Sequence, residues 1–331
     1  MIKKIDVHHH IYPPEMTAVL EAAGGDPSGW DVPAWSLEAD DEVAASIGVG
    51  TAIFSVTAPG ASIIKDNAEA ARLAGRLNDY CAKIRDQDPQ RYGFFCNLGS
   101  LLDTQRCLDE IRRAFDELQA DGVVLFTRYG EDKVQYLGHE DFKPIWAELN
   151  RRKAVVFIHP THGLDTRWVN AHAPQPLFDY PHETTRAAAD LLMSNNLREF
   201  PECKIILSHA GGTLPYLIHR ICGLEFSQFG TGKGAAEMYE DAQKFYFDLA
   251  LAGDERVLTH LMSFAKPGHV LFGSDYPNAP VPAVTAMTGA IDGFDFGDQR
   301  DSVYYGAGAA LFPRLAKGYQ EAAKRPSKGA L

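Results

Sequence analysis

Short apolar runs alternate with amphipathic segments along almost the whole chain, and this alternation limits the fold more than any other feature. About eight runs are predicted as strands, such as those at 92–98, 122–127 and 154–159, and each is followed by a predicted helix. Most runs are continuously apolar, which is typical of parallel strands buried on both faces. Eight such units in 331 residues predict an α/β fold, the (β/α)8 TIM barrel.

An open, doubly wound sheet is the alternative fold for the same alternation. That fold normally carries a glycine-rich turn after its first strand, whereas the first strand here ends in three histidines at 8–10. We therefore predict a single barrel domain over residues 1–331, closed by two C-terminal helices. Residues 11–40, dense in proline and glycine, are predicted as a long, irregular, lid-like insertion after the first strand, and residues 325–331 as a flexible tail.

Histidines and an aspartate lie at the carboxyl ends of four predicted strands. His8 and His10 end the first strand, on the same face, because successive side chains of a strand alternate. His159 ends the fifth strand, His209 the sixth and Asp275 the eighth. In a barrel these ends share one face, where active sites are built. Imidazole nitrogens with a carboxylate oxygen suit zinc, with manganese or iron as alternatives, so the pattern predicts a divalent metal site.

The motifs around these residues resemble those of the amidohydrolase superfamily. They read DVHHH at 6–10, IHP at 158–160, SHAGG at 208–212 and GSDYP at 273–277. More narrowly, they resemble the branch that contains aminocarboxymuconate-semialdehyde decarboxylase and the γ-resorcylate and 6-methylsalicylate decarboxylases. The similarity extends over nearly the whole chain.

The resemblance implies a role for each strand-end residue. The implied metal ligands are His8, His10, His159 and Asp275. His209 matches a histidine beside the metal that acts as an acid, a base or an electrostatic group. Binuclear relatives carry a lysine at the end of strand four, but residues 125–128 contain none, so one ion is expected, with zinc preferred and manganese as the alternative. Either Asp275 or His209 is expected to carry the proton.

Three further residues are candidates for contact with the substrate. Arg128 suits bidentate binding of a carboxylate, although pairing with Glu131 or Asp132 is the alternative. Trp35, in the 11–40 insertion, is expected either to form an apolar wall for a flat ring or to pin the insertion to the barrel. Arg220 resembles an arginine that in some relatives reaches the neighbouring subunit's substrate, which implies a homodimer or higher homo-oligomer; an ordinary surface arginine is the alternative.

We expect a metal-dependent, nonoxidative decarboxylase of a hydroxylated aromatic acid of the salicylate type, or of a related cyclic carboxylic acid. The same site would also permit a metal-dependent hydrolase of a lactone or a similar small carboxylate, or a barrel that only binds. A net charge of −12 argues against a nucleic-acid partner. Five scattered cysteines without a CxxC motif indicate reduced thiols in the cytoplasm. No apolar run approaches the roughly 20 residues of a membrane helix.

Overall fold

Eight parallel strands form the centre of the molecule in the computed structural model, which describes residues 3–131 and 133–323, without the side chains of 320–323. The predicted tail at 325–331 lies outside the described residues. In chain order the strands are β1 (Lys4–Ile11), β2 (Val49–Val56), β3 (Tyr92–Asn97), β4 (Gly122–Phe126), β5 (Val155–His159), β6 (Lys204–Leu207), β7 (Tyr246–Asp248) and β8 (Val270–Leu271). Each strand pairs with the next one along the chain.

The first and last strands meet, so the sheet curls into a nearly closed barrel. Val7 N–H donates to the carbonyl of Phe272 at 3.1 Å, and His10 N–H donates to that of Tyr276 at 2.7 Å. Every residue of β3, β4 and β5 is buried, as their continuous apolar sequences predict. Inside the barrel, Phe95 stacks on Phe157 with ring centres 5.3 Å apart. The predicted (β/α)8 barrel is therefore confirmed.

Helices surround the strands. They are α1 (Pro14–Ala22), α2 (Leu37–Ser46), α3 (Asn67–Gln87), α4 (Thr104–Asp116), α5 (Lys143–Arg151), α6 (Gln175–Met193), α7 (Asn196–Glu199), α8 (Leu214–Cys222), α9 (Ala235–Ala242), α10 (Glu255–Phe264), α11 (Val281–Gly293), α12 (Ala307–Leu311) and α13 (Pro313–Ala323). A π-helical turn at Ser302–Gly306 leads into α12, and a two-stranded ribbon of Arg128–Tyr129 and Gln135–Tyr136 follows β4.

The insertion at 11–40 is more regular than its composition predicts. Helix α1 occupies its first third, because Pro14 stands at the start of the helix, where the missing N–H is not needed. Met16 and Leu20 bury the inner side of α1, and two glycines with positive φ, Gly24 and Gly25, follow its end. The expectation of an irregular segment was therefore wrong for 14–22.

Ser36 caps the start of α2. Ser36 has an extended backbone, and its hydroxyl accepts the N–H of Ala39 at 3.2 Å. This cap ends the irregular part of the insertion and places Asp40 in the first turn of α2, facing inwards with 1% of its surface exposed.

Within the described residues, none of the helices combines the length and the apolar sequence that a membrane span requires.

Candidate metal centre and active site

Four predicted ligands converge at the carboxyl ends of the strands. One ligand atom from each of His8, His10, His159 and Asp275 lies within 4.8 Å of the other three, and all four residues are buried. His10 Nε2 is 3.1 Å from Asp275 Oδ1 and 3.1 Å from His8 Nε2. The rings of His10 and His159 stand nearly perpendicular, with centres 4.7 Å apart. The barrel therefore gathers three imidazoles and one carboxylate that are distant in sequence.

The outer nitrogen of each ligand histidine is already held by the protein. His8 Nδ1 lies 2.9 Å from Asp248 Oδ2, and His10 Nδ1 lies 3.1 Å from the hydroxyl of Ser55. His159 Nδ1 lies 2.7 Å from the main-chain oxygen of the next residue. Such contacts fix the ring orientation and leave Nε2 as the ligand atom.

The carboxylate of Asp275 provides a test of whether a cation fits here. Its Oδ1 is buried and, among the described residues, makes no hydrogen bond, although it faces the Nε2 atoms of His8 and His10. An anionic oxygen buried in this way is costly unless a cation or a donor satisfies it. The residues thus fit one divalent metal ion with three nitrogen ligands and one oxygen ligand.

The electrostatics of the cluster agree with metal ligation. Burial lowers the pKa of His159 well below its ordinary value, and the neighbouring imidazoles of His10 and His8 add to that effect. Burial also lowers the pKa of His10. Burial alone would raise the pKa of Asp275, but the imidazoles around it hold that pKa well below its usual range. Burial alone would also lower the pKa of His8, but the carboxylates of Asp248 and Asp275 raise it to about 10. Because a metal binds the neutral imidazole, a bound cation would take the place of a proton on His8, between the same two carboxylates.

His209 lies beside this cluster. Its Nε2 is 3.4 Å from Asp275 Oδ2, while its Nδ1 makes no hydrogen bond among the described residues. The backbone N–H of His209 donates to Asp248 Oδ1 at 3.1 Å. Asp248 at the end of β7 thus orients both a ligand ring and the turn that carries His209.

Sequence reasoning missed Asp248. The signal was present, because an acidic residue that ends an apolar strand at the active face of a barrel is a candidate functional residue. Its partner, His8, is 240 residues away in sequence. The contact follows only once strand order is known, because β1, β8 and β7 are neighbours in the barrel.

A buried network occupies the opposite side of β1. His9 Nδ1 lies 2.9 Å from Asp6 Oδ2, and His9 Nε2 lies 2.8 Å from Asp40 Oδ2. Burial alone would lower the pKa of His9, but the two carboxylates raise it to about 10. His9 therefore faces away from the metal ligands, and it joins β1 to helix α2.

The predicted substrate residues lie in three different settings. Arg128 is buried, and its guanidinium donates to the carbonyls of His162 and Gly130 at 2.5–3.0 Å. The indole N–H of Trp35 donates to Asp40 Oδ2 at 2.8 Å, a contact within the 11–40 insertion. Arg220 is exposed in the last turn of α8.

A family model described as Amidohydrolase matches residues 5–314 of the chain. A 6-methylsalicylic acid decarboxylase of Penicillium expansum is 53% identical over 323 residues, which cover 97% of this chain and 99% of that protein. A 6-methylsalicylic acid decarboxylase of Aspergillus aculeatus is 57% identical over 289 residues, covering 86% and 87%.

The fold has matches among solved structures. A crystal structure of 2,6-dihydroxybenzoate decarboxylase complexed with 2,6-dihydroxybenzoate superposes with a TM-score of 0.82 and 21% identity, over 95% of this chain and 100% of that one. The overall fold of the chain is therefore shared with an experimentally determined structure.

Proposed function

The chain belongs to the amidohydrolase family and is a decarboxylase of a hydroxylated aromatic acid, and we propose that its substrate is 6-methylsalicylic acid. The observation that carries the proposal is the 53% identity to a 6-methylsalicylic acid decarboxylase over 97% of the chain. The buried cluster of three histidines and one aspartate supports it, because that cluster can hold the ion on which this chemistry depends.

In this proposal His8, His10, His159 and Asp275 would hold one divalent ion. When bound, the ion would supply positive charge for the carboxylate and phenol oxygens of the substrate. The ligand set has three nitrogens and one oxygen, which favours zinc, with manganese as the alternative. Metal analysis of the protein purified without added metal would decide between them; a preparation without either ion would contradict the site.

Asp275 and His209 carry the proton that the reaction needs. The proton is delivered to the ring carbon that bears the carboxylate, and the ring loses its aromaticity at that step. The bond between this carbon and the carboxylate then breaks, CO2 leaves, and the electron pair of the bond restores the aromatic ring. One proton is taken up and one CO2 released, so no oxidant or reductant is required.

We propose that Arg128 binds the substrate carboxylate. Three of its five N–H groups donate to main-chain oxygens, which holds the guanidinium in one orientation and leaves two N–H groups for a ligand. The alternative partner Glu131 instead lies 3.1 Å from Lys65. Arg128 is thus an arginine already held in place and suited to a carboxylate.

The test is turnover of 6-methylsalicylic acid in D2O. Decarboxylation must give CO2 and 3-methylphenol with one deuterium at the carbon that lost the carboxylate. Absence of CO2 with this acid and with salicylic acid, together with turnover of a lactone that incorporates oxygen from H2(18)O, would overturn the proposal in favour of a hydrolase. Asp298→Asn, a substitution at an exposed site, serves as the activity control.

Two further properties are also proposals. We propose a homodimer in which exposed Arg220 reaches the partner's site, and sedimentation of a purely monomeric, fully active protein would contradict it. We place the enzyme in the cytoplasm, because the five cysteines in the described part of the chain are free thiols, which suits a reducing compartment. Cell fractionation followed by the activity assay checks that location.

A further inference from the structure

Four side chains form a continuous chain of hydrogen bonds from the insertion to the metal-binding strand. The indole N–H of Trp35 and the Nε2 of His9 both lie 2.8 Å from Asp40 Oδ2. On its other side, His9 Nδ1 lies 2.9 Å from Asp6 Oδ2. The network therefore joins the loop before α2 to the interior of β1.

The second oxygen of Asp6 contacts the backbone on both sides of the metal cluster. Asp6 Oδ1 accepts the N–H of His8 at 3.1 Å and the N–H of Ser274 at 3.1 Å. His8 is a metal ligand of β1, and Ser274 directly precedes the ligand Asp275. The Asp6 carboxylate thus contacts the backbone of two segments that carry metal ligands. Ser274, in the second segment, is 268 residues from Asp6 in sequence.

The sheet is irregular where the Asp6 carboxylate acts. The pairing of β1 with β2 shifts register between Asp6 and His9, so the ladder is irregular at the intervening residues. The His8 carbonyl accepts the N–H groups of Ser274 and Asp275 at 3.2 Å and 2.8 Å, and the His8 N–H donates to the Asp6 carboxylate. The Asp6 carboxylate, which His9 holds, is therefore one of the contacts that set the position of His8.

Three of the four side chains of the network are buried, and Trp35 is half-buried. Asp6 and His9 have no exposed surface, and Asp40 has 1%. Both ring nitrogens of His9 face carboxylate oxygens, at 2.9 Å and 2.8 Å. Changing one partner of this buried set leaves a polar group without its hydrogen-bond partner, so the positions of the others must change.

We propose that Trp35 and Asp40 are positioning residues for the metal ion, acting through His9 and Asp6 on the backbone of His8 and Ser274. This inference rests on the proposed metal site and deepens it. It assigns to the insertion a role in retaining the ion. The indole of Trp35 acts through its N–H, so the ring surface alone does not replace it.

The experiment measures the rate at which a chromogenic chelator removes zinc from the loaded protein in the absence of substrate. Asp40→Asn keeps the shape of the side chain but removes its charge, and we expect about tenfold faster release, as for other partners that orient ligands. Trp35→Phe should accelerate release by a smaller factor, with a lower kcat and an unchanged KM.

Each variant has a matched control. Asp41→Asn is the control for Asp40→Asn. Asp41 is the next residue of α2, and its carboxylate contacts Arg91 and the hydroxyl of Tyr92, which are not part of the network. Trp30→Phe removes an indole N–H that donates to the carbonyl of Asn278 instead of to Asp40. Both controls should release zinc at the wild-type rate, and circular dichroism confirms that all variants are folded.

Two outcomes would overturn the inference. One is wild-type release rates in both Asp40→Asn and Trp35→Phe. The other is a raised KM with unchanged release in Trp35→Phe, which would make Trp35 a wall of the substrate pocket. A wild-type protein that binds no zinc or manganese would instead overturn the metal site itself, so failure of the two proposals can be distinguished.

Discussion

Replacing Asp248 by asparagine is the sharpest test of the metal centre, because Asp248 accepts three N–H groups through two oxygens. Oδ2 faces His8 Nδ1 at 2.9 Å, and Oδ1 accepts the backbone N–H groups of His209 at 3.1 Å and Ala250 at 3.0 Å. Asparagine has only one acceptor oxygen. In either orientation of the amide, an NH2 group therefore takes the place of one of the two carboxylate oxygens that accept hydrogen bonds in the wild-type protein.

Both orientations weaken the site, by different routes. If the amide oxygen faces His8, the N–H groups of His209 and Ala250 lose their acceptor, at about 1–3 kcal/mol for each buried donor left unpaired. If the NH2 group faces His8, Nδ1 must give up its hydrogen, which moves to Nε2, the atom that binds metal. We expect metal affinity to fall about 10- to 100-fold, or about 1.4–2.7 kcal/mol.

Metal affinity is measured by competition with a chelator of known affinity, and the free energy of unfolding of the metal-free protein is measured with urea. Asp298→Asn makes the same change at an exposed site and should alter neither quantity. Unchanged zinc affinity in Asp248→Asn, with folding intact, would refute the assignment of His8 as a ligand oriented by Asp248.

Three other predictions concern residues around the cluster. Burial and the nearby Arg128 lower the pKa of His162 to about 4, whereas the pKa of histidine in an unfolded chain is about 6.5. As the pH falls, the unfolded state therefore binds the proton first, and the free energy of unfolding decreases between pH 6.5 and 4. His162→Gln should make the free energy of unfolding in urea fall less between pH 6.5 and 4. The same pH dependence as in the wild-type protein would contradict this prediction. Arg128→Lys should raise KM for 6-methylsalicylic acid about tenfold, because an ammonium cannot hold the main-chain oxygens and a carboxylate together; an unchanged KM in steady-state kinetics would exclude Arg128 as the carboxylate ligand. Arg220→Ala should lower kcat/KM about tenfold without changing the sedimentation coefficient, whereas wild-type kinetics would make Arg220 an ordinary surface residue.

The strands and their functional ends are predictable because their signals are local. A continuous apolar run identifies a buried strand, and the polar residue that ends it lies at the active face of the barrel. His159, His209 and Asp275 were assigned to that face in this way. The chain order of the strands then required no further information, because neighbouring strands of this barrel are also consecutive in sequence.

The errors arise where a residue type has two roles. Proline breaks a helix interior but starts a helix, so Pro14 was assigned to an irregular segment although it begins α1. Proline is also tolerated inside a helix at Pro181, because α6 begins at Gln175 and continues through that position. In both helices, buried apolar side chains such as Met16 and Tyr180 outweigh the local preference.

The supporting contacts of the metal centre could not be predicted, because they join residues across the closed barrel. Asp40 carries no local mark that distinguishes it from the other acidic residues of the chain, which number 44 in all, and Asp248 is marked only by its position at the end of a strand. Their roles follow from the rings they face, which are those of His8 and His9. The ligand set is therefore readable from strand ends, whereas the residues that orient the ligands require the structure.

The two oxygens of Asp275 face different partners. Oδ1 faces the Nε2 atoms of His8 and His10, and Oδ2 faces His209 Nε2 at 3.4 Å. Asp275 and His209 both have a positive φ, 63° and 55° respectively. Non-glycine residues adopt this conformation at a cost of about 1–3 kcal/mol, and such strain is typical of active sites. We infer that the proton is shared by the pair. His209→Asn and Asp275→Asn should then lower kcat non-additively in metal-loaded protein, and additive losses would show that the two residues act independently.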